Sequence, residues 1–204
     1  NVSETSGYDD SGITLWNMPI DYVKNCTIHH NDFVDCFVGV TLTYTNNISI
    51  HNNSFSLVND MYGNGLNIDG TNTSIITNNH IFNCTDGIYV GYDSYNNLIF
   101  HNIMENNSRH GIRLYSGSSN GFNTIKPNQV TANQDYGIFL DRAYNNTVSN
   151  NYINGNNKGI TLRFDITQDN LIFKNYITGN SEGIYLLQGP SNNTIIENNI
   201  YSNV

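Results

Sequence analysis

The sequence predicts an all-β protein, a right-handed parallel β-helix (solenoid) of about eight three-stranded coils. Three observations lead there. A glycine followed by an aliphatic–any–aliphatic triplet recurs eight times, at Gly12, Gly39, Gly65, Gly87, Gly111, Gly137, Gly159 and Gly183, with spacings of 22 to 27 residues. Two further short apolar alternations follow within each repeat. Asparagine supplies 39 of the 204 residues and falls at fixed positions of the repeat. A period in this range means stacked supersecondary units.

The first strand of a repeat is the glycine segment, as in Gly87-Ile88-Tyr89-Val90 and Gly183-Ile184-Tyr185-Leu186. The second follows an asparagine, as in Asn97-Leu98-Ile99 and Asn170-Leu171-Ile172. The third is asparagine, any residue, then an apolar one, as in Asn151/Ile153 and Asn175/Ile177. Period-2 alternation over three to five residues indicates strands with one buried face. A sustained 3.6-residue repeat is lacking, so helix is nearly absent. Three strands per turn make a parallel β-helix, and parallel crossovers are right-handed almost without exception. Eight coils at ~4.8 Å each give a rod roughly 40 Å long. Aligned aliphatic columns, such as Ile88, Ile112, Ile138, Ile160 and Ile184, fill it. Asparagine suits the bends because it tolerates left-handed backbone and bonds nearby backbone groups. Stacked asparagines can also bond one another along the rod.

The length fits one domain, residues 1–204, with 1–11 as its N-terminal edge. The last coil would expose Ile184, Leu186, Ile195 and Ile200 without a cap, so the chain is expected to be part of a longer protein. A net charge of −9 argues against general nucleic-acid binding. No apolar run approaches the length of a membrane span. Cys36 and Cys84 fall in one column two coils apart, ~10 Å, too far for a disulfide. Nine Asn-x-Ser/Thr sequons occur, the number expected to be inflated by composition. Few lysines and many Tyr and Thr favour a secreted or cell-surface setting.

The outward columns of the first strand differ chemically from the rest. The longest connections, Trp16 to Lys24, Ser56 to Asn64 and Tyr115 to Phe122, border this sheet and would leave a groove, and loops on a rigid scaffold carry function. Stacking coils four to seven brings Asp86, Tyr89, His110, Arg113, Tyr115, Tyr136, Phe139, Asp141, Lys158 and Arg163 onto one face, with Asp69 beside it. Aromatic faces suit sugar rings, and arginines grip a uronate carboxylate. The expected reading is an extracellular polysaccharide-degrading β-helix acting on an acidic cell-surface glycan, with glycosidic hydrolysis favoured over β-elimination. Asp141 is then the acid and Asp165 or Asp69 its partner. In a lyase, Arg113 or Arg163 would neutralise the uronate while Tyr115 or His110 removes the proton. Asp69, Asp86, Tyr89, Tyr136, Phe139 and Lys158 would bind substrate. The bland alternative is solvated cross-strand pairs, Asp86–His110 and Asp141–Arg163. Two other functions remain: a non-catalytic carbohydrate-binding or structural surface module, and a metal-associated periplasmic β-helix using His29 and His51, with His30 and Asp32 near. No cofactor is expected, with calcium at Asp69/Asp93 or Asp141/Asp165 the one candidate.

The runs Gly-Ile-x-Leu, Asn-Asn-Thr-Ile and Asn-Asn-x-Ile, at 183–200 and in part at 137–153, resemble the right-handed β-helix repeats of NosD-type and carbohydrate-binding/sugar-hydrolase proteins. The asparagine-rich version is similar to repeats in large surface proteins of methanogenic archaea, disaggregatase among them. That resemblance implies a uronate- and hexosamine-containing matrix polymer as substrate. Related lyases and epimerases carry a Tyr-Gly-x-Asp-Pro-His strand, of which Tyr136-Gly137-Ile138-Phe139-Leu140-Asp141 keeps the Tyr-Gly start and a displaced Asp.

Overall fold

The computed structural model describes residues 11–19, 21–56, 63–115 and 121–204. The expected N-terminal edge, most of the connections before Gly65 and after Tyr115, and one residue of the connection after Trp16 lie outside the described residues.

Three eight-stranded parallel sheets wrap a single core in a right-handed β-helix. The first sheet runs through Ser11–Trp16, Val38–Thr43, Leu66–Asp69, Ile88–Val90, Ile112–Tyr115, Tyr136–Asp141, Lys158–Arg163 and Glu182–Leu187. The second begins at Thr27–His29 and ends at Thr194–Ile196; the third begins at Asp32–Val34 and ends at Asn199–Tyr201. A fourth, minor segment follows the first sheet. It contains the pair Val23–Lys24 and Thr45–Asn46, continued by bridges such as Asn72↔Tyr95 and Gly121↔Tyr144. The expected register holds along the first sheet, with Asn67↔Tyr89↔Arg113↔Phe139↔Thr161↔Tyr185 in one row.

The inward residues form the expected columns. Ile88, Ile112, Ile138 and Ile160 are fully buried, Ile184 partly so, and Phe33 stacks on Phe55 at 4.6 Å. On the last coil Leu186, Ile195 and Ile200 are exposed. The recurring glycine is required by close approach. A Cβ at Gly39 would lie 2.6 Å from the carbonyl oxygen of Gly65 and 2.4 Å from Phe55, and at Gly159 it would lie 2.4 Å from the Gly183 oxygen. The coil turns its corner there with backbone against backbone.

The asparagine pairs divide their labour. In Asn52-Asn53, Asn78-Asn79 and Asn150-Asn151 the first residue takes a left-handed φ of 54–56°, and the second points inward. The inward residues form three ladders, one at each corner. In the ladder from Asn31 to Asn198, the backbone N–H and Nδ2 of each asparagine donate to the Oδ1 of the next coil's asparagine. For Asn79 onto Asn102 both distances are 3.0 Å. The second ladder passes through Asn97, Asn123, Asn146, Asn170 and Asn193, and the third through Asn107, Asn133, Asn156, Asn180 and Asn203. His101, Ala132 and Lys174 occupy the left-handed position elsewhere, whereas the inward asparagine follows each of them. The ladder is therefore the stricter requirement. The three cysteines each donate Sγ–H to the carbonyl two residues earlier.

Asn102→Ala removes the acceptor for two Asn79 donors and the amide that satisfies the Ile76 and Phe100 carbonyls. With roughly 1–3 kcal/mol for each buried group left without a partner and partial relaxation, the expected loss is about 3–5 kcal/mol. Asn150→Ala, on the exposed left-handed position, is expected to cost about 1 kcal/mol. Urea denaturation of both variants measures the difference.

Candidate functional site

Side chains on the outer face of the first sheet alternate with the buried ones, so the row through Tyr89, Arg113 and Phe139 and the rows on either side of it point away from the core. At the N-terminal half the outward residues are small: Ser11, Thr14, Thr41, Thr43, Asn64 and Asn67. A groove of about 800 Å³ results, reaching from Trp16 on the first coil to Arg109 and Arg113 on the fifth. The expectation had placed the patch on coils four to seven. Of that patch Asp86, Tyr89 and Arg113 line the groove, whereas on coils six and seven the outward side chains are largely covered. Phe139, Thr161 and Asp141 are each no more than 2% exposed. His110 stacks on Tyr136 at 4.9 Å and meets Phe139 edge-on at 5.2 Å.

Arg113 is the centre of the site. Its guanidinium carbon lies 4.9 Å from the Tyr115 ring centroid, 5.5 Å from Tyr89 and 5.9 Å from Phe139. Carboxylates flank it, Asp86 at 3.8 Å and Asp141 at 4.0 Å. These are ion-pair distances beyond hydrogen-bond length, so the carboxylates hold the cation in place without using its N–H donors. Four buried polar atoms in this neighbourhood lack a hydrogen-bond partner: Asp69 Oδ1, Asp86 Oδ1, His110 Nδ1 and Arg113 Nε. Buried polar groups are normally paired, so such a concentration marks a place built for something other than stability.

Electrostatics follow from burial. Desolvation raises the Asp69 carboxyl to about 6, against the amide of Tyr92. It also raises Asp86, opposed by Arg109 and Arg113, and Asp141, opposed by Arg163, Arg142 and Arg113. Burial, reinforced by Arg109 and Arg113, lowers His110 to about 2, so its imidazole is neutral. Tyr89 is raised by burial and by the Asp69 charge.

Several expected residues are elsewhere or otherwise engaged. Lys158 is bound to Glu182 at 2.6 Å and lies over Tyr185, turned away from the groove. Arg163 donates Nε–H to Gln188 and packs on Phe164. Asp165 sits exposed in the turn after its strand and accepts the Ile166 amide. The anticipated Asp141–Arg163 pair gives way to Asp141–Arg142 at 3.4 Å. The Asp86–His110 side-chain pair gives way to Asp86–Arg113. Arg109, Arg142 and the Trp16 end of the groove carry more than the sequence reading assigned. Arg109 was hidden because it lies on the corner before the strand. Arg142 was hidden because it follows the strand on a left-handed residue.

With this geometry in place, comparison with known proteins is informative. The family described as "Periplasmic copper-binding protein (NosD)" matches over residues 1–163 and, overlapping, 57–204. The chain belongs to the NosD family. No curated protein matches in sequence. Among solved structures, this NosD-family chain is similar to the periplasmic alginate epimerase AlgG, with a TM-score of 0.62 and 20% identity over 84% of this chain and 48% of that one. It is also similar to the A-module of the Azotobacter vinelandii mannuronan C-5 epimerase AlgE6, with a TM-score of 0.52 and 17% identity over 87% of this chain and 65% of that one. The chain thus spans about half the length of AlgG, and at this identity the likeness is one of fold. These matches carry the NosD family and the β-helix, and not the archaeal surface-protein resemblance.

They overturn the expected glycoside hydrolysis. The two structures named above are an alginate epimerase and a mannuronan C-5 epimerase, the matching family is described as copper-binding, and none of these three is a hydrolase. The geometry agrees. An acid–base pair must flank one bond, whereas Asp141 is buried against Arg142, Asp165 serves its own turn, and Asp69 lies three coils or about 14 Å from Asp141.

Copper, which the family description names, finds no matching set of side chains among the described residues. His29 and His51 stack at 4.9 Å, and His29 and His30 are joined Nδ1 to Nδ1 at 2.8 Å, each ring nitrogen satisfying the other. Among the described residues no group of three or more His, Cys, Asp or Glu is arranged to hold a metal ion. The described residues therefore do not fit copper.

The buried titratable groups make opposite contributions to stability. His110 takes a proton near 6.5 when unfolded but near 2 when folded, so it lowers stability progressively as pH falls below 6.5. Asp69 is protonated in the folded chain near 6 but in the unfolded chain only near 3.8, so its contribution rises as pH falls through that window. In thermal melts between about pH 7.5 and 4.5, wild type should lose ground to His110→Gln and gain ground on Asp69→Asn.

Proposed function

We propose that this chain is a non-catalytic carbohydrate-binding β-helix whose first-sheet groove holds a uronate-containing polysaccharide outside the cytoplasm. The observation that carries this reading is Arg113: a guanidinium at the groove floor, its side chain 18% exposed, braced by Asp86 and Asp141 beyond hydrogen-bond length and ringed by Tyr89 and Tyr115. A planar guanidinium with available donors matches a carboxylate in bidentate fashion, and the flanking rings offer flat surfaces for the adjoining pyranose. Acidic polysaccharide as ligand is supported by the fold likeness to the alginate and mannuronan epimerases, and an extracytoplasmic setting by the periplasmic character of both the NosD family and AlgG.

Binding without turnover is favoured because His110, the natural proton acceptor, is buried. Its Nδ1 lies beneath the Tyr136–Phe139 cover and does not open onto the groove. Asp141 is likewise buried.

Calorimetric titration with acidic and neutral polysaccharides tests the proposal. Arg113→Ala is expected to weaken uronate-polymer binding roughly 10- to 100-fold, the loss of one charge-assisted contact worth ~1.5–3 kcal/mol, and Arg113→Lys to restore part of it. Neither reducing ends nor unsaturated uronates should accumulate. Equal binding of neutral and acidic polymers, or indifference to Arg113→Ala, would refute the reading.

A further inference from the structure

The groove's charges are distributed unevenly along its length. Its cations, among the described lining residues, are Arg109 and Arg113, both on the fifth coil. From there to the first coil, four coil steps or about 19 Å, the lining is hydroxyls, amides and apolar surface. Two carboxylates interrupt it, Asp86 beside Arg113 and Asp69 midway, each with an unpartnered oxygen. At the far end Trp16 stands 58% exposed with Ser11, Thr14 and Thr43 near it.

Resting on the uronate reading above, we infer that the ligand is a heteropolysaccharide in which a single uronate is followed by neutral sugars. The uronate seats on Arg113, and the neutral residues run along the rod past Asp69 to Trp16. The polymer lies parallel to the rod because the groove does, and the coil spacing is close to the rise of one sugar along an extended chain. Each neutral ring then meets one coil's Thr or Asn, which can donate to and accept from hydroxyls. The last ring meets the indole of Trp16. A homopolyuronate cannot use this track. It would bring a second carboxylate to Asp69, where like charges at close range in a partly desolvated groove repel and where no cation among the described lining residues stands to offset them. Asp69 is thus the discriminating residue, a built-in repulsion against the wrong ligand.

The experiment measures affinities at about pH 8, where Asp69 is ionised, for three tetrasaccharides: one terminal uronate on three neutral sugars, four uronates, and four neutral sugars. The single-uronate ligand should bind at least 10-fold more tightly than either of the others. Its affinity should grow from di- to tetrasaccharide in wild type and cease to grow in Trp16→Ala. Asp69→Asn, checked for folding by circular dichroism, should raise tetrauronate affinity several-fold. Tetrauronate binding as tight as the single-uronate ligand, with Arg113→Ala still damaging, overturns the sparse-uronate inference and leaves uronate binding standing. Loss of any dependence on Arg113 overturns both.

Discussion

The asparagine ladders are the constraint on which the rest depends. A parallel β-helix must hold every coil in register with the next, because a slip of one residue would turn each inward side chain outward. Backbone ladders alone do not resist such a slip strongly in strands of three residues. The corners do: each inward asparagine bonds the backbone and side chain of its counterpart one coil away, in buried surroundings where a missed bond is expensive. The glycine at the start of the first strand adds a steric version of the same rule, since that corner admits no Cβ.

A rod held this rigidly converts distance along the chain into proximity. Asp86, Arg113 and Asp141, separated by a coil each, meet because three coils place them in adjacent rows. No loop closure or domain movement is required to assemble the site. The same rigidity lets the protein keep buried groups without partners beside Arg113. Their desolvation is a cost the surrounding ladders can sustain, and it is at such positions that binding proteins hold groups ready for a ligand. The two carboxylates beside Arg113 fix it in place, and in doing so they also limit how much negative charge the groove will accept.

The family relationship and the fold likeness point in different chemical directions. The NosD description names copper, for which the described side chains offer no converging ligand set. The epimerases share the coil geometry while this chain keeps only a fragment of the Tyr-Gly-x-Asp-Pro-His strand, with Asp141 displaced and buried. A β-helix can change its outer rows without disturbing its inner ones, since the two sets alternate along every strand. Family membership therefore constrains the core of this protein far more than its groove.

The periodicity in the sequence determined the solenoid, the three strands of each coil and the rows into which outward residues fall. Inward and outward positions alternate locally, and the repeat length is written in the glycines and asparagines. Arg113, Tyr89, Tyr115 and Asp86 could therefore be assigned to one face before any coordinates. Only the tertiary structure decided which of those side chains face solvent. Phe139, His110 and Asp141 occupy outward rows yet are buried, because side chains of the same and adjacent coils lean over them: Tyr136 on His110, His110 and Tyr136 on Phe139, Arg113 and Arg142 beside Asp141; the row pattern carries no information about such lean. Lys158 and Arg163 were drawn off by Glu182 and Gln188, partners on the following coil that competed successfully for the same cations. The groove consequently opened toward the first coils, where small residues leave a void that sequence composition alone does not reveal.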